Sequence, residues 1–309
     1  MPPVSKPIRM GNLEWGLLLL LSVIWGASYL FIRIAAQAVP PLTATFARVV
    51  VAAMVLGLAL VLTRTAPPRT WTAWRDYLVM GFLNNVIPFS LIFWSQQHVG
   101  AGLASVFNAT SPFWGLVIAH LWTTDEKLRA NKFAGVLVGI AGVAILVGPE
   151  VLQGFGKNVL SEAALIVAAI SYGFASLWGR RFRETPPLTS AFSQLTCSSL
   201  MLLPLAAITE TPWRLPMPGQ HAIFALLSLA ILCTAIAYII FFTILRRAGA
   251  ANVLLVTLLI PPSAILMGWL FLGEGLNAFQ FAGAGVIGLA LIVIDGRLLS
   301  GALAKPSAG

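Results

Sequence analysis

Apolar residues in this chain run in long blocks, and short stretches holding Pro, Gly or charge separate them. A helix needs roughly 20 apolar residues to cross about 30 Å of hydrocarbon, because every backbone polar group must find its partner within the span. By that rule ten helical spans are expected, near residues 14–34, 41–63, 77–97, 101–123, 131–148, 160–179, 188–208, 221–244, 250–272 and 278–295. The fold class that follows is an all-α polytopic membrane protein.

Two stretches repeat. Val99–Val147 and Ala248–Ile294 align so that Glu126 meets Glu274, Leu128 meets Leu276, and Phe133-Ala134-Gly135 meets Phe281-Ala282-Gly283. The entry glycines Gly100 and Gly249 and the prolines Pro112 and Pro261 repeat as well. Further upstream, Trp25-Gly26 in the first span pairs with Tyr172-Gly173 in the sixth, so the duplication extends to five spans per half. An odd number of spans turns the second copy upside down relative to the first. The resulting pseudo-two-fold axis lies in the membrane plane, and such carriers hold substrate where the repeats meet near the midplane. The expected division is a tail over 1–10, a first five-helix repeat over 11–149, a connector over 150–158, a second, inverted repeat over 159–297 and a tail over 298–309.

Composition agrees with the pattern: 59% of residues are hydrophobic, 9% are charged and the mean hydropathy is +0.90. Placing the N-terminus in the cytoplasm gathers Lys6, Arg9, Arg64, Arg69, Arg75, Lys127, Arg129, Lys132, Arg180, Arg181, Arg183, Arg246, Arg247, Arg297 and Lys305 inside, against Lys157 and Arg214 outside. That imbalance is the one the positive-inside rule requires, and it puts both termini in the cytoplasm. The net charge of +9 is then accounted for by topology and anionic lipid, with no call for nucleic acid. Ala36-Gln37-Ala38 resembles a leader cleavage site, but the apolar run before it supplies the first span of the repeat. Cys197 and Cys233 both fall inside spans, where they are expected to act as small packing residues and not as a disulfide or metal site.

Polar groups inside spans are few, and such groups face either a cavity or a neighbouring helix. Asn84 and Asn85 precede Pro88, whose missing N–H should bend the third span and free carbonyls. Trp94 is placed about two turns beyond Asn85, close to its face. Asn108, Thr110 and Ser111 gather before Pro112, and Thr257 precedes Pro261-Pro262 in the ninth span. The candidate cavity wall is Trp25, Asn84, Trp94, Asn108, Tyr172, Tyr238 and Thr257, with Arg48 as the intramembrane charge that either receives a substrate carboxylate or holds backbone carbonyls. Helix-to-helix hydrogen bonding is the competing role for the amides and hydroxyls. Trp15, Trp122 and Trp178 sit where interfacial anchors sit. Gly135, Gly139 and Gly142 form a stripe suited first to helix packing and second to a dimer contact. All ten acids fall at span ends or in loops, and Glu14 is expected to be a solvated carboxylate at a helix start.

Trp25-Gly26, Arg48, Ser111-Pro112, the turn Asp125-Glu126-Lys127-Leu128, the glycine-rich fifth span, Thr234-Ala235-Ile236-Ala237-Tyr238 and Gly273-Glu274-Gly275-Leu276 together resemble the EamA family of the drug/metabolite transporter superfamily. The resemblance runs from about 14 to 295 and implies a ten-helix inverted-repeat carrier of a bacterial inner membrane, exporting small metabolites. An aromatic, amide and hydroxyl wall without a fixed anion suits net-neutral, partly apolar solutes, so the expected cargo is amino acids over a broad range, moved by alternating access. Lipophilic drugs or another metabolite, with or without proton coupling, form the alternative. The partners expected are that small-molecule substrate and membrane lipid, with monomer and homodimer both open. No motif of a hydrolase or metalloenzyme is legible, so the chain reads as a non-enzyme without cofactor or metal.

Overall fold

A computed structural model describes residues 10–123, 130–272 and 277–295. The described residues are helical, with no strand among them. Ten spans follow in order: α1 (Asn12–Ala36), α2 (Pro41–Leu62), α3 (Trp71–Ser95), α4 (Ala101–Trp122), α5 (Ala130–Leu152), α6 (Val159–Phe182), α7 (Pro187–Thr209), α8 (Gln220–Ala248), α9 (Ala250–Val253 and Val256–Leu272) and α10 (Ala278–Asp295). The acidic turn 125–128, its counterpart 273–276 and both tails lie outside the described residues.

The expected spans match these helices, and the differences have local causes. α3 starts at Trp71, six residues before the apolar run, because Thr70 caps it by accepting the Ala73 N–H through Oγ1 at 3.3 Å. α4 breaks after Asn108 and restarts at Ser111, where Pro112 takes a position that needs no N–H partner. α5 kinks at Gly148, whose φ of 82° only glycine adopts without strain, and Pro149 then opens one further turn. α9 breaks at Leu254–Leu255, and its longer segment carries Pro261 and Pro262.

Proline alone does not account for the irregularity of α3. A π-helical turn occupies Phe82–Val86, one turn before Pro88, and α8 carries its equivalent at Ile231–Ile236 with no proline at all. Such turns widen the ring by one residue and leave a carbonyl unclaimed. In α3 the Ile87 N–H reaches back to Phe82 O, freeing Leu83 O, while Pro88 leaves Asn84 O free. In α8 the Ala237 N–H reaches Leu232 O and frees Cys233 O.

Helix pairing follows the repeat. Repeat mates pack on each other, α5 on α10 and α2 on α7. α1 packs on α9 as its mate α6 packs on α4, and α1 on α8 as α6 on α3. The glycine stripe on α5 is used within the chain: a Cβ at Gly135 would meet Ala290 O at 3.1 Å, and one at Gly142 would meet Ile287 N at 3.0 Å. On α10, a Cβ at Gly283 would run into the Leu146 backbone. Lipid-facing positions stay apolar, with Leu20, Met54, Leu58, Leu200, Leu203 and Phe224 all exposed.

The two ends of the bundle are tied differently. Where α1 begins, Glu14 is buried, accepts the Gly11 N–H at 2.8 Å and pairs with Arg247 Nε at the end of α8. This corrects the expectation of a solvated carboxylate: the end of α8 covers it and supplies its counter-ion. At the opposite face the corresponding turn holds Glu162, which accepts the Gly156 N–H at 2.8 Å. There the end of α3 presents His98, whose ring rests on Trp94 and whose carbonyl accepts Asn158 Nδ2 at 3.3 Å.

Candidate functional site

Seven spans, drawn from both repeats, enclose a central cavity of about 720 Å3 counted out to its mouth. α1 contributes Trp25, Ser28, Tyr29 and Ile32; α2 contributes Arg48; α3 contributes Asn84, Phe89 and Ile92; α4 contributes Asn108. From the second repeat come Tyr172 and Ser176 of α6, Tyr238 and Phe241 of α8, and a ridge of α9 from Val253 to Ile260 that includes Thr257. No carboxylate is among the lining residues, and Arg48 is the formal charge among them.

Trp25, Arg48, Asn84, Asn108, Tyr172, Tyr238 and Thr257 therefore meet in one cavity, as the sequence reading gathers them. Trp94 does not line it: it is half-buried in the last turn of α3 with its ring 5.1 Å from that of His98. Ile92 is the last residue of α3 to line the cavity, and Trp94, two positions on at about 100° each, points to the far side of the helix. Ser28, Tyr29, Phe89, Ser176 and Phe241 are lining residues that the sequence did not single out. Tyr29 and Ser28 sit one turn beyond Trp25, and Phe241 one turn beyond Tyr238, so helical spacing from the flagged aromatics was the available signal.

The unclaimed carbonyls of the π turns organise the wall. Cys233 O accepts Trp25 Nε1 at 3.2 Å and Arg48 Nη2 at 3.2 Å, while Arg48 Nε donates to Thr234 Oγ1 at 2.6 Å. Across the cavity Tyr238 donates to Asn84 O at 3.3 Å and accepts from Asn85 Nδ2 at 2.7 Å, and Ser171 Oγ donates to Leu83 O at 2.6 Å. Gln194 of α7 is fully buried behind this side, donating from Nε2 to Asn85 Oδ1 and accepting from Asn84 Nδ2 at 3.4 Å.

Gln194 and Arg48 are repeat mates. Pro41-Leu42-Thr43-Ala44-Thr45-Phe46-Ala47-Arg48 aligns with Pro187-Leu188-Thr189-Ser190-Ala191-Phe192-Ser193-Gln194, and each stretch starts its helix. Each residue reaches from its own repeat to hold the π turn of the other, Arg48 at Cys233 and Thr234, Gln194 at Asn84 and Asn85. One clamp is cationic and the other neutral.

Aromatic rings close the remaining wall. Arg48 lies 3.9 Å over the centre of the Phe89 ring, an arrangement that stabilises a desolvated cation. Trp25 meets Tyr238 edge-on at 6.2 Å and Phe241 at 5.9 Å. The hydroxyls of Tyr29 and Tyr172 have no hydrogen-bond partner among the described residues, and both residues line the cavity. No group of three or more His, Cys, Asp or Glu comes together among the described residues. Chemically, the site offers amide, phenol and guanidinium groups in an aromatic box.

The EamA-like transporter family matches this chain twice, over residues 14–148 and 160–295. Among curated proteins, the uncharacterized transporter YoaV of Bacillus subtilis (strain 168) is 25% identical over 264 residues, covering 85% of this chain and 90% of its own length. Protein PecM of Dickeya dadantii (strain 3937) is 29% identical over 275 residues, with 88% and 89% covered. The uncharacterized inner membrane transporter YedA of Escherichia coli (strain K12) is 25% identical over 285 residues, with 91% and 90% covered. A solved crystal structure of a chain 20% identical covers 96% of this one at a TM-score of 0.74, a likeness of fold alone. With both halves matched and the cavity built where they meet, the chain belongs to the EamA-like transporter family.

Proposed function

We propose that this multi-pass inner-membrane transporter exports amino acids over a broad range, hydrophobic and aromatic ones included, with both termini in the cytoplasm and substrate held in the central cavity by Trp25, Arg48, Asn84, Asn108, Tyr172, Tyr238 and Thr257. The observation that carries this reading is the cavity wall itself: rings, amides, hydroxyls and one guanidinium, contributed by both repeats, with no carboxylate among them. Trp and Tyr faces accept apolar side chains or an ammonium, and such contacts tolerate many shapes. Because the wall comes from two inverted repeats, rocking one against the other would expose the same groups to either side, which is alternating access.

Counterflow of labelled leucine, methionine, phenylalanine and threonine in proteoliposomes tests the proposal. Saturable exchange of several of them is expected, with each competing against the others. Absence of exchange for every amino acid, in protein shown to be folded by a cooperative thermal transition, sinks the assignment and turns attention to lipophilic drugs, for which Ile32, Ile92 and Ile260 would supply the wall.

A further inference from the structure

The cavity groups differ in how fully the protein itself uses them. Tyr238 and Trp25 have their polar atoms engaged by the opposite repeat. Arg48 donates through Nε and Nη2, and its Nη1 has no hydrogen-bond partner among the described residues. The residue is 3% exposed, and among the described residues no carboxylate lines the space it faces. Tyr29, Tyr172 and Tyr238 line the same cavity as its guanidinium. Two of these phenols, Tyr29 and Tyr172, carry hydroxyls that no group among the described residues engages.

A buried guanidinium without a counter-ion is costly, and hydrogen bonds from a cation to a carboxylate are among the strong ones. The structural role of Arg48, holding Cys233 O and Thr234, does not itself require a charge. Its repeat mate holds the opposite π turn with a neutral carboxamide. What the charge adds at this one position is an anion site. We infer that Arg48, Tyr29 and Tyr172 form a carboxylate subsite, in which the guanidinium supplies charge and an N–H while the two phenols donate to the carboxylate oxygens, so the cargo is a monocarboxylate whose apolar remainder lies against Trp25, Phe89 and Phe241. The subsite rests on the amino-acid reading above and says which group is recognised: the α-carboxylate is required, and the α-ammonium is dispensable.

Leucine, leucinamide, 4-methylpentanoate and 3-methylbutylamine separate these contributions, since they share one apolar skeleton and differ in the carboxylate and the amine. Binding to the purified full chain is followed by tryptophan fluorescence, and transport by inhibition of labelled leucine counterflow. Leucine and 4-methylpentanoate are expected to bind at least about tenfold more tightly than leucinamide and 3-methylbutylamine, as befits hydrogen bonds to a charged group. Arg48→Gln, which copies the neutral clamp of the second repeat and retains a donor for Thr234, is expected to abolish that preference. Tyr29→Phe and Tyr172→Phe should each reduce it about threefold, with the larger loss falling on the two carboxylates, a selective pattern that loss of structure would not give.

Equal binding of acid and amide by the wild-type chain overturns the subsite even if leucine exchanges well, so that the transport reading survives alone. Binding of both carboxylates with no exchange of leucine does the reverse. A carboxylate preference that persists in Arg48→Gln overturns the role of the guanidinium.

Discussion

Gln194 is fully buried and uses both ends of its carboxamide on residues of the other repeat. Replacing it with Met keeps the volume and removes the donor to Asn85 Oδ1, which then retains only Ser198 Oγ at 3.0 Å. Gln194→Met should therefore destabilise the protein by about 1–2 kcal/mol, seen as a lower Tm in detergent. Neither prolines nor repeat-related aromatics point to this residue, and a single Gln in the serine-rich α7 gives no sign of its partners. Asn84 and Tyr238, in contrast, stood out as polar groups within otherwise apolar spans. Tyr29 gives no such sign, since a lone tyrosine in an apolar span is equally a packing residue. Trp94 is the opposite case: its distance along α3 suggests a cavity position, but its angle around the axis from Ile92 turns it away.

At the scale of helices, glycine placement can be tested directly. Gly283→Ala pushes a methyl into the Leu146 backbone, whereas nothing lies within 4 Å of a Cβ at Gly285, two residues on and on the opposite, exposed face of the same helix. The first substitution should destabilise by roughly 1–3 kcal/mol or more and the second should be neutral or stabilising, since Ala is the better helix former by about 1 kcal/mol. Comparing the Tm of the two variants checks both. The break in α4 is legible because Pro112 announces it, whereas α5 kinks at Gly148 and runs on to Leu152, where the sequence leads one to expect a connector. The π turn of α8 is not legible, because Ile231–Ile236 contains neither proline nor glycine. That turn is fixed by what claims its spare carbonyl, namely Trp25 and Arg48, and such contacts between distant segments leave no local mark.

Across the whole molecule, ten spans and an inverted duplication could be read from apolar block length and repeated punctuation, since the bilayer imposes the first and the odd span count imposes the second. The internal symmetry is not complete. Where Glu14 meets Arg247, the other face offers Glu162 and a histidine, His98, turned onto Trp94. Only one of these two seams is closed by a pair of opposite full charges, and the Arg247 side chain in it is 50% exposed. Dissolved ions reach such a pair, and the screening length shrinks from about 10 Å at 0.1 M salt to about 3 Å at 1 M. Ionic strength should then act as a one-sided lubricant: salt added to the compartment bathing the Glu14 end speeds exchange in proteoliposomes, salt added to the other compartment does not, and Arg247→Gln transports at one speed whichever side is salted.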